Sequence, residues 1–201
     1  MADRMLTRYR LIELATVLAA VVLTLPSPAS AQGKQQSDPA LEPLLRQALE
    51  LGESCFEDRF DRDVFFASME PKLQRFIKDA DERTLILERV HCESKRLTLP
   101  PGLVLAVIDV ESQFDRWAVS SSGAVGLMQV MPFWPRKLGM TNEQLVRIPQ
   151  NIRMGCTILK YYLDREKGDY TKALARYHGS INRRDYPDKV LTRLANRWYY
   201  R

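Results

Sequence analysis

Apolar positions along this chain recur at helical rather than strand spacing. Leu41, Leu44, Leu45, Ala48 and Leu49 fall on one stripe of a helix beginning at Pro39, with Asp38 placed to cap it. Val64 to Phe66 and Leu73 to Ile77 read as short helices broken around Pro71, because proline lacks the donor that a helix interior needs. Asp81 to Lys95 reads as another helix with Leu85, Ile86, Leu87 and Val90 inward. Pro100-Pro101-Gly102 marks a boundary. The run Leu103 to Val110 is apolar on nearly every side except at Asp109, so it is a buried segment whose periodicity is compatible with helix or strand. Ile152 to Leu163, Lys172 to Tyr177 and Asp188 to Tyr199 again show helical spacing, and two-residue alternation is absent over any useful length. The pattern predicts a mostly α protein without internal repeats.

The first 31 residues depart from this pattern. A basic start (Arg4, Arg8, Arg10), an apolar stretch from Leu14 to Leu25 and Ala29-Ser30-Ala31 before Gln32 have the form of a secretory signal peptide cleaved near Ala31. An apolar core of about 12 residues is short for a spanning helix. Gln32 stands where a lipoprotein would carry cysteine, so no lipid anchor is expected. Gln32 to Asp38 reads as a polar, flexible leader.

Removing residues 1–31 takes away three arginines against two acids and lowers the formal charge from +5 to +4. A mildly basic surface suits an anionic polymer, while the dense basic stripe or recognisable module expected of a nucleic-acid binder is missing. Cys55, Cys92 and Cys156 permit at most one internal disulfide in an oxidising compartment, and the sequence leaves the pair open. His91-Cys92 is the only close His/Cys pairing, so no metal is expected.

Glu111 is the residue that carries chemistry. It is set in the run Leu103 to Gln113, at the end of its apolar part, and is followed by the glycine-rich stretch Gly123 to Gln129. A carboxyl among apolar atoms loses hydration and keeps its proton to higher pH, and a helix C-terminus adds to that effect. A proton donor of this kind is what glycosidic cleavage requires, because the sugar alkoxide leaves only once protonated. On a helix, Asp109 would point about 200° away from Glu111, whereas Asp115 at i+4 would share its side only if the helix continued that far. Asp115 is expected in a loop; correctly placed, it would activate water.

Glu111-Ser112, Ser122-Gly123-Ala124, Gly126-Leu127-Met128-Gln129, Met131-Pro132, Asn151-Ile152 with Gly155, and Ala173-Leu174-Ala175-Arg176-Tyr177 together resemble the catalytic domain of soluble-type lytic transglycosylases, relatives of goose-type lysozyme. The resemblance runs from about Pro100 to Trp198 and settles Leu103 to Val110 as helix. It implies an all-α, lysozyme-like domain at residues 100–201; the stretch before Pro100 lies outside it and reads, from its own apolar spacing, as a leader and helical extension at 32–99. The extension is expected to pack on the domain, with Phe60, Phe65 and Phe66 as alternatives for shaping a cleft.

With the signal-like segment, which implies export to the periplasm or envelope after cleavage near Ala31, the resemblance implies an enzyme of the cell wall. It would act on peptidoglycan glycan strands as a monomer without cofactor, with envelope or secretion-apparatus proteins as possible partners. Glu111 would be the single acid and base, cleaving the bond between N-acetylmuramic acid and N-acetylglucosamine with closure of a 1,6-anhydro ring. Ser112, Gly126, Met128, Gln129, Tyr177 and His178 would contact substrate or orient the glutamate. In this pattern the hydroxyl of Tyr177 reaches Glu111. His178 departs from the family's usual asparagine. It donates and accepts as asparagine does, yet titrates near neutrality. Phe133 and Trp134 offer aromatic faces to a sugar or to the core. A hydrolase of the same fold and an inactive wall-binding module are the alternatives.

Overall fold

In a computed structural model, the structure describes Gln35, residues 37–50 and residues 59–200. The signal-like segment and Cys55 lie outside the described residues. Residues Gln32–Arg201 form one compact unit. Nine α-helices occur among the described residues: α1 (Leu41–Glu50), α2 (Arg59–Leu73), α3 (Ala80–Leu97), α4 (Pro101–Glu111), α5 (Phe133–Lys137), α6 (Asn142–Leu145), α7 (Ile148–Arg165), α8 (Tyr170–His178) and α9 (Asp185–Arg193), which runs into a π-helical turn at Leu194–Trp198. The extended backbone among these residues amounts to isolated bridges joining Val125 to Val119 and to Val130. The architecture is all-α, as the spacing of apolar positions predicts.

α4 is the central element. Every residue from Gly102 to Asp109 is buried, which is why its sequence lacks an amphipathic face. Pro101 at its start has no amide hydrogen to leave unpaired. α4 packs against α3, α9 and the π turn, while α7 lies against α1, α3, α6 and α8. Gly102 is required where α4 meets the π turn, since a Cβ there would collide with the Trp198 carbonyl. Asp109, which faces away from Glu111 as expected, accepts from Arg197 Nη1 and from Trp198 Nε1, each at 2.8 Å. Trp198 is fully buried and packs on Phe114 and Phe76. Asp109 thus ties the C-terminal turn to the central helix.

A second buried carboxylate joins α3 to α7. Glu93, 1% exposed, accepts from Arg96 at 2.7 Å and Arg153 at 2.8 Å, and Arg96 also donates to Thr157 Oγ1. A buried charge of this kind is tolerable because both of its oxygens are paired. Cys92, on the same helix, is disulfide-bonded, whereas Cys156 is a free and buried thiol.

Three local expectations are corrected. Pro71 does not break a helix: α2 runs through it and ends two residues later. Proline there forfeits one hydrogen bond in the last turn, and the fully buried stripe of Phe65, Met69 and Leu73 holds the turn in place. The helix expected from Pro39 starts at Leu41, with Asp38 Oδ1 accepting from the Ala40 amide. The described end of the leader is held in place: Asp38 accepts from Tyr161 Oη at 2.7 Å and Arg165 at 2.6 Å, and Gln35 is buried. Of the three phenylalanines considered for a cleft, Phe65 is core, Phe66 lies under the Arg62 guanidinium and Phe60 is exposed.

Replacing Asp109 by alanine strands the Trp198 indole N–H and the Arg197 guanidinium. We expect a loss of about 2–4 kcal/mol in urea unfolding, with Asp109→Asn losing less because its carbonyl oxygen still accepts from Trp198.

Candidate active site

Glu111 is the last residue of α4, and the chain turns sharply behind it. Ser112 leaves helical geometry, and Gln113 and Phe114 both take positive φ, at 52° and 68°. The side chain of Phe114 is buried against Phe76 and Trp198, which anchors the strained turn. Ser112 Oγ donates to the Leu127 carbonyl at 2.8 Å and also lies 3.2 Å from the Ile108 carbonyl. The serine therefore ties the end of α4 to the glycine-rich loop instead of reaching for the carboxyl.

That loop is a frame held from within. Val125 and Val130 exchange two backbone hydrogen bonds, and the Gly126 amide donates to the Ala118 carbonyl. Asn151, 1% exposed on α7, accepts from the Met128 amide and donates to the carbonyls of Val125 and Leu145, all at 2.8–2.9 Å. Gly126 has φ of 80°, and a Cβ on it would strike the Asn151 carboxamide; backbone conformation and space both demand glycine. Gln129, at φ 48°, spends its carboxamide N–H groups on the Ala118 and Gly126 carbonyls and is 7% exposed. Met128 is fully buried and packs where Gly155 leaves room on α7. Phe133 and Trp134 join the core, Trp134 completely. Gly126, Met128, Gln129 and Trp134 are thus buried parts of the frame, and Phe133 is half-buried against it.

The hydroxyl that meets Glu111 belongs to Tyr186 of α9, not Tyr177. Tyr186 Oη donates to Glu111 Oε1 at 2.6 Å. Tyr177, on α8 and 0% exposed, instead donates to the Met128 carbonyl at 2.7 Å and meets the Gln35 side chain. It lies near enough to Glu111 for the carboxylate charge to raise its own pKa, after desolvation. Tyr186 was open to prediction only through its place in the apolar stripe of α9, where Tyr186, Pro187 and Val190 are buried; nothing local distinguishes a tyrosine that reaches a carboxyl 75 residues earlier.

Desolvation raises the pKa of Glu111 to about 7, and the Tyr186 hydrogen bond pulls in the opposite direction but more weakly. Burial, followed by the charge of Glu111, raises the pKa of Tyr186 well above its ordinary value, so it remains a donor. Near neutral pH, Glu111 therefore holds a proton in part of the population and an accepted hydrogen bond on Oε1. Such a group can give a proton and take one back at the same pH. His178 ends α8, half-buried, with its ring stacked on Tyr186 at 4.2 Å between centroids and 12° between planes. Asp109 is committed to Arg197 and Trp198. Asp115 is exposed in the turn, and its carboxylate accepts from the Trp117 amide at 2.8 Å. It lines a surface depression with Ile77, Lys78 and Asp79. Among the described residues, no group of three or more His, Cys, Asp or Glu is placed to hold a metal ion.

Residues 90–190 match the family described as the transglycosylase SLT domain. The chain belongs to that family. It is 38% identical over 111 residues to the transglycosylase of Enterobacteria phage PRD1, covering 52% of this chain and 41% of the phage protein. It is 49% identical over 39 residues to the membrane-bound lytic murein transglycosylase C of Actinobacillus pleuropneumoniae serotype 5b, covering 19% of this chain and 11% of that protein. The X-ray structure of an inactive mutant of the lytic transglycosylase Slt from Pseudomonas aeruginosa aligns with a TM-score of 0.43 at 20% identity, covering 81% of this chain and 35% of that one. The chain thus spans less than half the length of each relative. The SLT match begins within α3 and ends within α9, so it contains Glu111, the glycine-rich frame and Tyr186.

The raised pKa of Glu111 makes a stability prediction. Between the unfolded value of 4.5 and about 7, the folded state keeps a proton that the unfolded state has lost. This group's contribution to stability is therefore complete below 4.5 and is lost as pH rises to 7. Glu111→Gln removes that slope. Urea titrations should show the variant gaining on the wild type by roughly 1–3 kcal/mol between pH 4 and pH 8; parallel pH profiles would refute the shift.

Proposed function

We propose that this protein is a peptidoglycan lytic transglycosylase with Glu111 as its single acid and base. The observation that carries the reading is the isolation of Glu111: a desolvated carboxyl with a pKa near 7 and one phenol donor, while Asp109 and Asp115 are engaged elsewhere. Glu111 protonates the β-1,4 glycosidic oxygen between N-acetylmuramic acid and N-acetylglucosamine as the C1–O bond breaks. The resulting carboxylate takes the proton from the C6 hydroxyl of the muramyl sugar, whose oxygen closes on C1. The product is a 1,6-anhydro end, and no water is consumed. One carboxyl serves both steps because the proton it gives first is replaced by the proton it takes second.

Family membership and the named relatives support murein as substrate. In this reading Tyr186 stabilises the carboxylate formed between the two steps. Ser112, Gly126, Met128, Gln129, Asn151 and Tyr177 hold the wall of the cleft, and His178 lies at its open side. The mildly basic chain and its signal-like N-terminus suit action in the periplasm or cell envelope after export, with the anionic peptide stems of the wall drawn to the surface.

The test is mass spectrometry of soluble products from purified peptidoglycan, with Glu111→Gln in parallel. Anhydro-muropeptides, lighter than reducing ones by one water and absent with the variant, are expected. Reducing muropeptides would replace the proposal with a hydrolase and direct attention to Asp115. Fragment release undiminished by Glu111→Gln would remove Glu111 from the chemistry. Tyr186→Phe is expected to retain the fold and to lower turnover by about tenfold, in line with the loss of one hydrogen bond to a charged group.

A further inference from the structure

His178 stands at the end of α8 with its ring flat against the Tyr186 phenol, 4.2 Å between centroids and 12° between planes. The opposite end of that phenol is the hydroxyl that donates to Glu111 at 2.6 Å. Tyr186 is buried, so its ring cannot swing toward solvent, but the hydrogen bond itself does not fix its tilt about the C–O axis. The imidazole lies flat against one face of that ring. His178 Nδ1 is buried without a hydrogen-bond partner. An unpaired lone pair there is tolerable, whereas an unpaired N–H on a cation is much more costly. The charged groups that bear on the ring are Lys189 of α9 and Arg183 of the preceding loop; with burial, the larger cause, they lower its pKa and favour the neutral form. A neutral ring can stack face to face on a phenol without drawing the phenol's electrons or competing for Glu111.

We propose that His178 is a positioning residue: its uncharged imidazole, stacked on Tyr186, holds the phenol hydroxyl on Glu111 Oε1 and so governs how firmly that carboxyl is oriented. This builds on the reading of Glu111 as the acid. It differs from a direct substrate contact in a measurable way, because His178 acts only through Tyr186. Flatness of the ring at position 178 matters in this arrangement, and its nitrogens do not.

The test is ¹³C-carboxyl NMR titration of Glu111, assigned by its absence in Glu111→Gln, in wild type, His178→Ala, His178→Phe, Tyr186→Phe and the double variant His178→Ala/Tyr186→Phe. The Tyr186 bond lowers the Glu111 pKa, so loosening it moves the titration to higher pH. His178→Ala is expected to shift it upward, His178→Phe to leave it near the wild-type position, and the double variant to match Tyr186→Phe alone. On peptidoglycan, His178→Ala should lower kcat several-fold with KM unchanged, and His178→Phe should restore it. If His178→Ala fails to fold, His178→Asn removes the ring while keeping a polar side chain and replaces it in every arm. A Glu111 titration unmoved by loss of the ring, equal losses in His178→Phe and His178→Ala, additive shifts in the double variant, or a change confined to KM would overturn the proposal. Absence of any fragment release by the wild type would overturn the enzymatic reading alone, since the titration does not depend on turnover.

Discussion

The hydrogen bond from Tyr186 to Glu111 is the contact around which the rest of the molecule is arranged. It joins the end of the buried central helix to α9, and the contacts between α4 and the C-terminal segment hold those two elements together. Asp109, two residues before Glu111, binds the π turn that follows α9. Gly102 allows the same turn to approach the start of α4. The central helix is thereby gripped along its length by the C-terminal segment that carries Tyr186. A carboxyl ending an apolar helix is costly to bury, and the cost is contained because its neutral form is available near pH 7 and its charged form finds one good donor.

The second constraint is the frame made by Ala118, Val125, Gly126, Met128, Gln129 and Asn151. Its residue types are those that a sugar-binding loop also uses, namely glycine, amide and methionine, which is why their presence in sequence is so easily read as substrate contact. The hydrogen bonds give them a different role. Asn151 bonds three backbone groups of the frame, and Gln129 adds a side-chain hydrogen bond to the Ala118 and Gly126 carbonyls, which already accept from backbone amides. Polar side chains spent on the backbone of a loop make that loop rigid. Tyr177 belongs to the same frame through the Met128 carbonyl. Beside that frame, Glu111 at the turn and His178 at the end of α8 are both half-buried.

Legibility followed physical range. The helices with a clear apolar stripe, α1, α3 and α7, were readable because the period of a helix is local. The peculiarity of Glu111 was readable too, since an acid at the end of an apolar run is a local contradiction that function resolves. The persistence of α2 through Pro71 was not, because a proline's local penalty was outweighed by three buried side chains whose partners lie on other elements. α5 and α6, of five and four residues, are too short for periodicity to register. Tyr186 escaped for the same reason as Pro71: its meaning lies in a contact across 75 residues of chain. The assignment of Tyr177 to the carboxyl placed the right residue type in the right neighbourhood on the wrong helix.

Two tyrosines close to one carboxyl need not be redundant. Tyr177 is buried from every side and gives its proton to a backbone carbonyl, so its role is fixed whatever the charge on Glu111. Tyr186 gives its proton to the group whose charge changes, and its hydrogen bond strengthens as that group ionises, because bonds to charged acceptors are stronger than those to neutral ones. The phenol therefore favours the carboxylate, while burial favours the acid, and the pKa near 7 is the outcome of that opposition with burial ahead. A deeper pocket alone would leave an acid that seldom ionises, and a stronger donor set alone would leave a carboxylate that seldom holds a proton. Only a balance between them gives a group that can exchange a proton in both directions at one pH. Burial supplies the larger share of that balance, and the opposing share depends on the geometry of a single hydrogen bond.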